Sequence, residues 1–109
     1  MTDKPTAARD AYGHVAPKFA GITDEVLFGD VWRGPELSPR DRSVITVSSL
    51  ISLYRINELP YHVKIALDNG VTKEEIIAMI THLAFYSGWP TAATALAIAN
   101  KVFAENGLA

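Results

Sequence analysis

No cysteine occurs in this 109-residue chain, which excludes disulfides, thiolate nucleophiles, iron–sulfur ligation and dithiol redox chemistry. Charge is sparse as well: 20% of residues are charged, the formal net charge is −2 and the pI is near 5.8. There is neither a basic stripe nor a run of five like charges, and this argues against nucleic acid as a partner. No segment reaches the ~18 apolar residues of a membrane span, and the N-terminal MTDKPTAARDAYGHVAPKF lacks the unbroken apolar centre of a signal peptide. A cytoplasmic location is therefore expected, with no membrane partner. Glycine-rich phosphate loops, heptads, internal repeats and low-complexity tracts are missing too.

Apolar residues are what the chain has in excess. They make up 49% of the sequence and the mean hydropathy is +0.12, more than one small domain easily hides. The excess points to subunit interfaces, and hence to a homo-oligomer. The length supports a single domain, read as residues 7–109 behind a flexible tail at residues 1–6.

Helix boundaries are written along the chain. A weak pattern of Ala8, Ala11, Val15 and Phe19 predicts a helix to about Ala20, stopped by Gly21; Thr23 or Asp24 then caps a short helix through Val26, Leu27, Val31 and Trp32. Ser38-Pro39-Arg40-Asp41 places a cap, a proline at the first helical position and an acid three residues after the cap. Val44, Val47, Leu50, Ile51 and Tyr54 continue that helix at the three-to-four spacing. Pro60 breaks or kinks the chain near Arg55–Leu59, so Glu58 falls at a helix start. That helix runs to about Asp68 and ends at Asn69-Gly70, after which Thr72 and Glu75 form a capping box for the next. Gly88 ends the fifth segment and Trp89-Pro90 opens a last helix that is apolar nearly all round. The fold class is all-α.

Glu58 and His62 lie four apart, on one helix face. They are either an ordinary surface ion pair or a proton-handling pair in which the carboxylate raises the imidazole's titration. Arg55, three residues earlier, either pairs with Glu58 and helix carbonyls or binds a substrate carboxylate through its forked guanidinium. His82 and Tyr86, again four apart, either pack or line a pocket. A metal held by Glu58, His62 and His82 lacks any diagnostic spacing, and no metal is expected. No serine stands beside a base in a nucleophilic arrangement.

The run from TDEVLFGDVW through ELPYH, ALDNGVTKEEI and FYSGWP closely resembles the carboxymuconolactone decarboxylase family, relatives of the alkylhydroperoxidase D-like proteins. The likeness covers roughly residues 23–103. It implies the alkylhydroperoxidase D-like all-α fold, commonly a hexameric trimer of dimers with active sites near subunit contacts. In the peroxidase branch two cysteines and a histidine carry the chemistry; with the histidine at His62, the cysteine positions fall on Arg55 and Glu58. The resemblance therefore implies the decarboxylase branch. There γ-carboxymuconolactone loses carbon dioxide to give β-ketoadipate enol-lactone during aromatic-acid breakdown in the β-ketoadipate pathway, without a cofactor. His62 and Glu58 are then the expected catalytic pair, and Arg55, His82 and Tyr86 the substrate-binding residues. Two other readings remain open: proton-transfer isomerisation of a related small carboxylated substrate, or a non-catalytic oligomeric binding scaffold.

Overall fold

Six α-helices and no strand are present among residues 4–109, the part that the computed structural model describes. Of the expected tail, residues 1–3 lie outside the described residues, and Lys4 to Thr6 precede the first helix. Residues up to Pro39 form one compact unit and Arg40–Ala109 form another.

In the first unit the expected helix to Ala20 is two short ones, α1 (Ala7–Tyr12) and α2 (Pro17–Ile22). Pro17 explains the break: it has no N–H for a helical bond and its ring crowds the preceding turn, so it can only open a new helix. Gly21 does not stop α2 but lies inside it, and the chain runs on into a π-helical turn at Thr23–Phe28 and a 3₁₀ turn at Val31–Arg33. Asp24 is no local cap either. Its side chain, 5% exposed, accepts hydrogen bonds from the Ala8 and Arg9 N–H groups, both at 2.9 Å. A carboxylate at the positive end of α1 satisfies two of that helix's orphan donors from 16 residues away.

The second unit holds the main core. It contains α3 (Pro39–Ser52), α4 (Leu59–Asp68), α5 (Lys73–Ser87) and α6 (Trp89–Glu105). Val47 and Ile51 of α3, Leu59, Val63 and Ala66 of α4, Ile76 and Ile80 of α5, and Ala95, Ala99 and Phe103 of α6 meet in one buried cluster. These are the periodic positions read from the sequence, with two exceptions: Leu96 is exposed, and Tyr54 lies beyond the end of its helix. Helix α6 packs against both α4 and α5. Helices α3 and α5 run parallel, tied start to start by Arg40 and Glu75 and end to end by the Ser52 and Ser87 hydroxyls at 2.8 Å, both across the same 35-residue separation.

Three helices of this unit end alike. After α4, the Gly70 N–H bonds the Leu67 carbonyl and the Val71 N–H bonds that of Ala66; after α6, Gly107 and Leu108 bond Ala104 and Phe103; after α3, Tyr54 and Arg55 bond Ile51 and Leu50. Each pair is a Schellman closure, which needs a left-handed residue at its centre. Gly70 and Gly107 supply it without strain, at φ +93° and +74°. At the end of α3 a tyrosine does so, with φ +58°, and a side chain in that conformation costs roughly 1–2 kcal/mol.

The start of α5 is fully capped. Thr72 Oγ1 accepts the Glu75 N–H at 3.1 Å while the Glu75 carboxylate accepts the Thr72 N–H at 3.0 Å, an arrangement whose threonine contributes about 1 kcal/mol. The Thr72 N–H first, and Arg40's guanidinium second, hold the Glu75 carboxyl below the usual range. Among the described residues no helix is long and apolar enough to cross a membrane.

Candidate active site

Pro60 and Leu59 together fix where α4 begins. The proline takes a position in the first helical turn, where its missing N–H is no loss, and Leu59, 1% exposed, anchors that turn in the core. Glu58 consequently occupies the N-cap position, as its place before Pro60 implied. Its carboxylate makes no capping bond to the helix, so a charged group stands at the positive end of α4 without being used up by it. The Glu58 carbonyl accepts the His62 N–H at 3.4 Å, and the Arg55 carbonyl accepts that of Leu59 at 3.2 Å. Arg55 itself closes the α3 cap through its N–H, 2.8 Å from the Leu50 oxygen.

Arg55 and Glu58 are both exposed, whereas His62 is half-buried. The ring of Tyr61 stands edge-on to the imidazole at 5.3 Å, and the buried Val63 follows. Burial lowers the His62 titration below the ordinary imidazole value, because a charged ring is disfavoured where water is excluded. This corrects the sequence-based expectation of a value raised by a neighbouring carboxylate. In the free chain at neutral pH the imidazole is biased to its neutral form.

His82 and Tyr86 do come together: their rings stack at 4.8 Å with planes 24° apart. Both are exposed, on the outer face of α5. His82 borders an open groove of about 480 Å³ between α3 and α5, where Arg40, Ser48 and Glu75 also lie. The sequence-derived residues thus form two groups, one at the α3–α4 turn and one on α5. Around the turn and the far end of α5, large apolar side chains are bare: Leu53, Tyr61, Phe85 and Trp89 are each more than half exposed, and Phe85 and Trp89 pack edge to face at 5.8 Å. Among the described residues, no three His, Asp or Glu side chains are grouped to hold a metal ion.

Sequence reasoning missed Tyr54, which the three-to-four spacing assigned to the α3 stripe. The available signal was the want of a glycine where α3 has to stop.

A family model described as the carboxymuconolactone decarboxylase family matches residues 17–101. The chain belongs to the carboxymuconolactone decarboxylase family. Over 91 residues it is 35% identical to a 4-carboxymuconolactone decarboxylase of Acinetobacter baylyi, covering 84% of this chain and 68% of that protein. Over 95 residues it is also 35% identical to a nitrosuccinic acid decarboxylase of Metarhizium robertsii, covering 87% of this chain and 66% of the relative. The match spans about two thirds of each relative's length. At equal identity, two carboxymuconolactone decarboxylase family members are therefore named for unlike substrates and the same bond cleavage.

Proposed function

We propose that the chain is a cofactor-free carboxy-lyase that decarboxylates a small carboxylated lactone of the γ-carboxymuconolactone type. The observation that carries this reading is the equal likeness to two named decarboxylases, in a chain that sets Arg55, Glu58 and His62 at one helix start. The two substrates share a property. In γ-carboxymuconolactone the electrons left by carbon dioxide move through the conjugated C=C into the lactone carbonyl; in nitrosuccinic acid a nitro group on the carbon bearing a carboxyl can take them. Each substrate brings its own electron sink, so the protein has only to bind a carboxylate, stabilise an oxyanion and deliver a proton to carbon.

Arg55 grips a carboxylate or the lactone oxygen through two parallel N–H bonds. His62 delivers the proton and Glu58 orients it. The buried imidazole starts neutral; an arriving anionic substrate favours the imidazolium, since an opposite charge within a few ångströms offsets the cost of burial. Substrate binding and the arming of the acid are thereby linked. His82 and Tyr86 contribute to binding from α5, which in an assembly need not be the α5 of the same copy.

Assembly belongs to the same proposal. A turn whose Arg55 and Glu58 are bare, ringed by exposed Leu53, Tyr61, Phe85 and Trp89, becomes a water-poor site when a second copy covers it. A hexamer built as a trimer of dimers is the arrangement we propose. The test is carbon dioxide release from γ-carboxymuconolactone, with nitrosuccinic acid offered in parallel and the oligomer sized by light scattering. Turnover of the lactone by an assembled protein supports the reading; a monomer that turns over neither substrate overturns it.

A further inference from the structure

Gly70 and Gly107 show what this chain places at a left-handed helix end when the backbone alone has a claim on the position. Tyr54 departs from that choice at φ +58°, the only non-glycine residue with positive φ among those described. Its side chain is 52% exposed, so burial in this chain does not explain it. What the tyrosine adds is a hydroxyl that reaches Thr94 Oγ1 at 3.4 Å. Thr94 is on α6, the helix against which α4 packs, and α4 carries His62. Arg55 follows Tyr54 directly and closes the cap. A glycine here would make the same backbone turn, tied to α3 only; the tyrosine ties it to α6 as well.

We propose that Tyr54 is a positioning residue of the decarboxylation site: through its phenol and Thr94 it holds the Arg55–Glu58 turn in a fixed relation to His62. The proposal rests on the assignment of Arg55, Glu58 and His62 made above. It explains why the strained residue lies immediately before the guanidinium, since a loosely held Arg55 would lose the two-point geometry that a carboxylate needs.

The test compares Tyr54→Phe, Thr94→Val and the double variant with the native chain, in amide hydrogen exchange without substrate and in decarboxylation of γ-carboxymuconolactone. Phenylalanine keeps the strained backbone and loses only the hydroxyl. Exchange of the Arg55 amide is expected to speed up several-fold in each single variant and no further in the double, because one shared bond has been removed. KM is expected to rise about tenfold, the scale of one lost hydrogen bond. The pH profile set by His62 stays where it was, and Thr94→Ser, which keeps the hydroxyl, restores both readouts. Native-like Arg55 exchange in Tyr54→Phe overturns the proposal whatever the activity, as does a double variant whose effects simply add. If the exchange signature appears but Arg55→Gln leaves KM unchanged, the site assignment is what has failed, and a positioning role for Tyr54 falls with it.

Discussion

At the end of α4 the chain turns at Gly70, drops Val71 into the core at 1% exposure and runs straight into the Thr72–Glu75 capping box. At the end of α3 the same backbone closure turns at Tyr54, and Leu53, Arg55 and Glu58 are left exposed. Asn69, beside the first turn, donates to Ser43 at 3.0 Å, and Glu75, just after it, is paired with Arg40. Glu58, after the second, caps nothing. The first turn is finished for stability: every residue after the glycine is buried, capping or capped. The second carries strain, bare charge and bare apolar surface together, a combination retained when those groups have a use other than holding the fold.

The largest expected effect that separates the two turns is His62→Gln. Loss of the proton donor should lower decarboxylation by about 10²-fold or more, with circular dichroism and assembly unchanged. Arg55→Gln comes next: removing a charge-assisted contact worth about 1.5–3 kcal/mol raises KM roughly 10- to 100-fold and leaves Tm nearly unmoved. Stability should respond the other way round. Gly70→Ala meets no neighbour within 4 Å of the added carbon, so its cost is backbone strain alone. Roughly 1–2 kcal/mol, at about 4–8 °C per kcal/mol, should appear in Tm with full activity per folded molecule. Tyr54→Gly relieves similar strain, partly offset by about 0.5–1 kcal/mol of extra chain entropy lost on folding. It should melt no lower than the native chain while working less well. A Gly70→Ala chain that loses activity in proportion to a Tyr54→Gly chain would erase the contrast.

The smallest effect is on pH dependence. Because burial depresses the His62 titration, the unfolded chain binds its proton first as pH falls through about 6.5. Stability is therefore full above that pH and declines below it until the folded-state value is passed. Glu75, also depressed, withdraws its contribution in the same direction at more acidic pH. Thermal melts from pH 8 to 5 should show the first decline in the native chain and lack it in His62→Gln. The same titration governs the free enzyme, so kcat/KM should rise as pH is lowered toward it if His62 is the acid.

Much of this was legible in the sequence wherever the cause is local. Pro39, Pro60, Gly70 and the Thr72–Glu75 box each fix the chain within one helical turn, and each stands where its chemistry indicated. The misreadings are non-local or turn on an unmet local rule. Asp24 was read as a cap for its own segment, but it reaches back to α1; only folding brings those residues together. Tyr54 fitted the α3 periodicity, which carries no information about where a helix without a terminal glycine ends. For His62 the four-residue spacing from Glu58 was visible, yet the sign of its shift depends on how much of the ring is buried, a property of packing. Arg55, Glu58 and His62 were named from the sequence because they lie within eight positions of one another.

Carbon dioxide release from γ-carboxymuconolactone by the native chain and by His62→Gln, at matched concentration and near pH 6.5, tests the proposed chemistry most directly. The expected result is catalysed release by the native protein and a rate lower by about 10²-fold or more in the variant, with both proteins equally helical and equally assembled. Equal rates from the two would contradict the role given to His62 and, with it, the proposal that the turn after α3 is the active site.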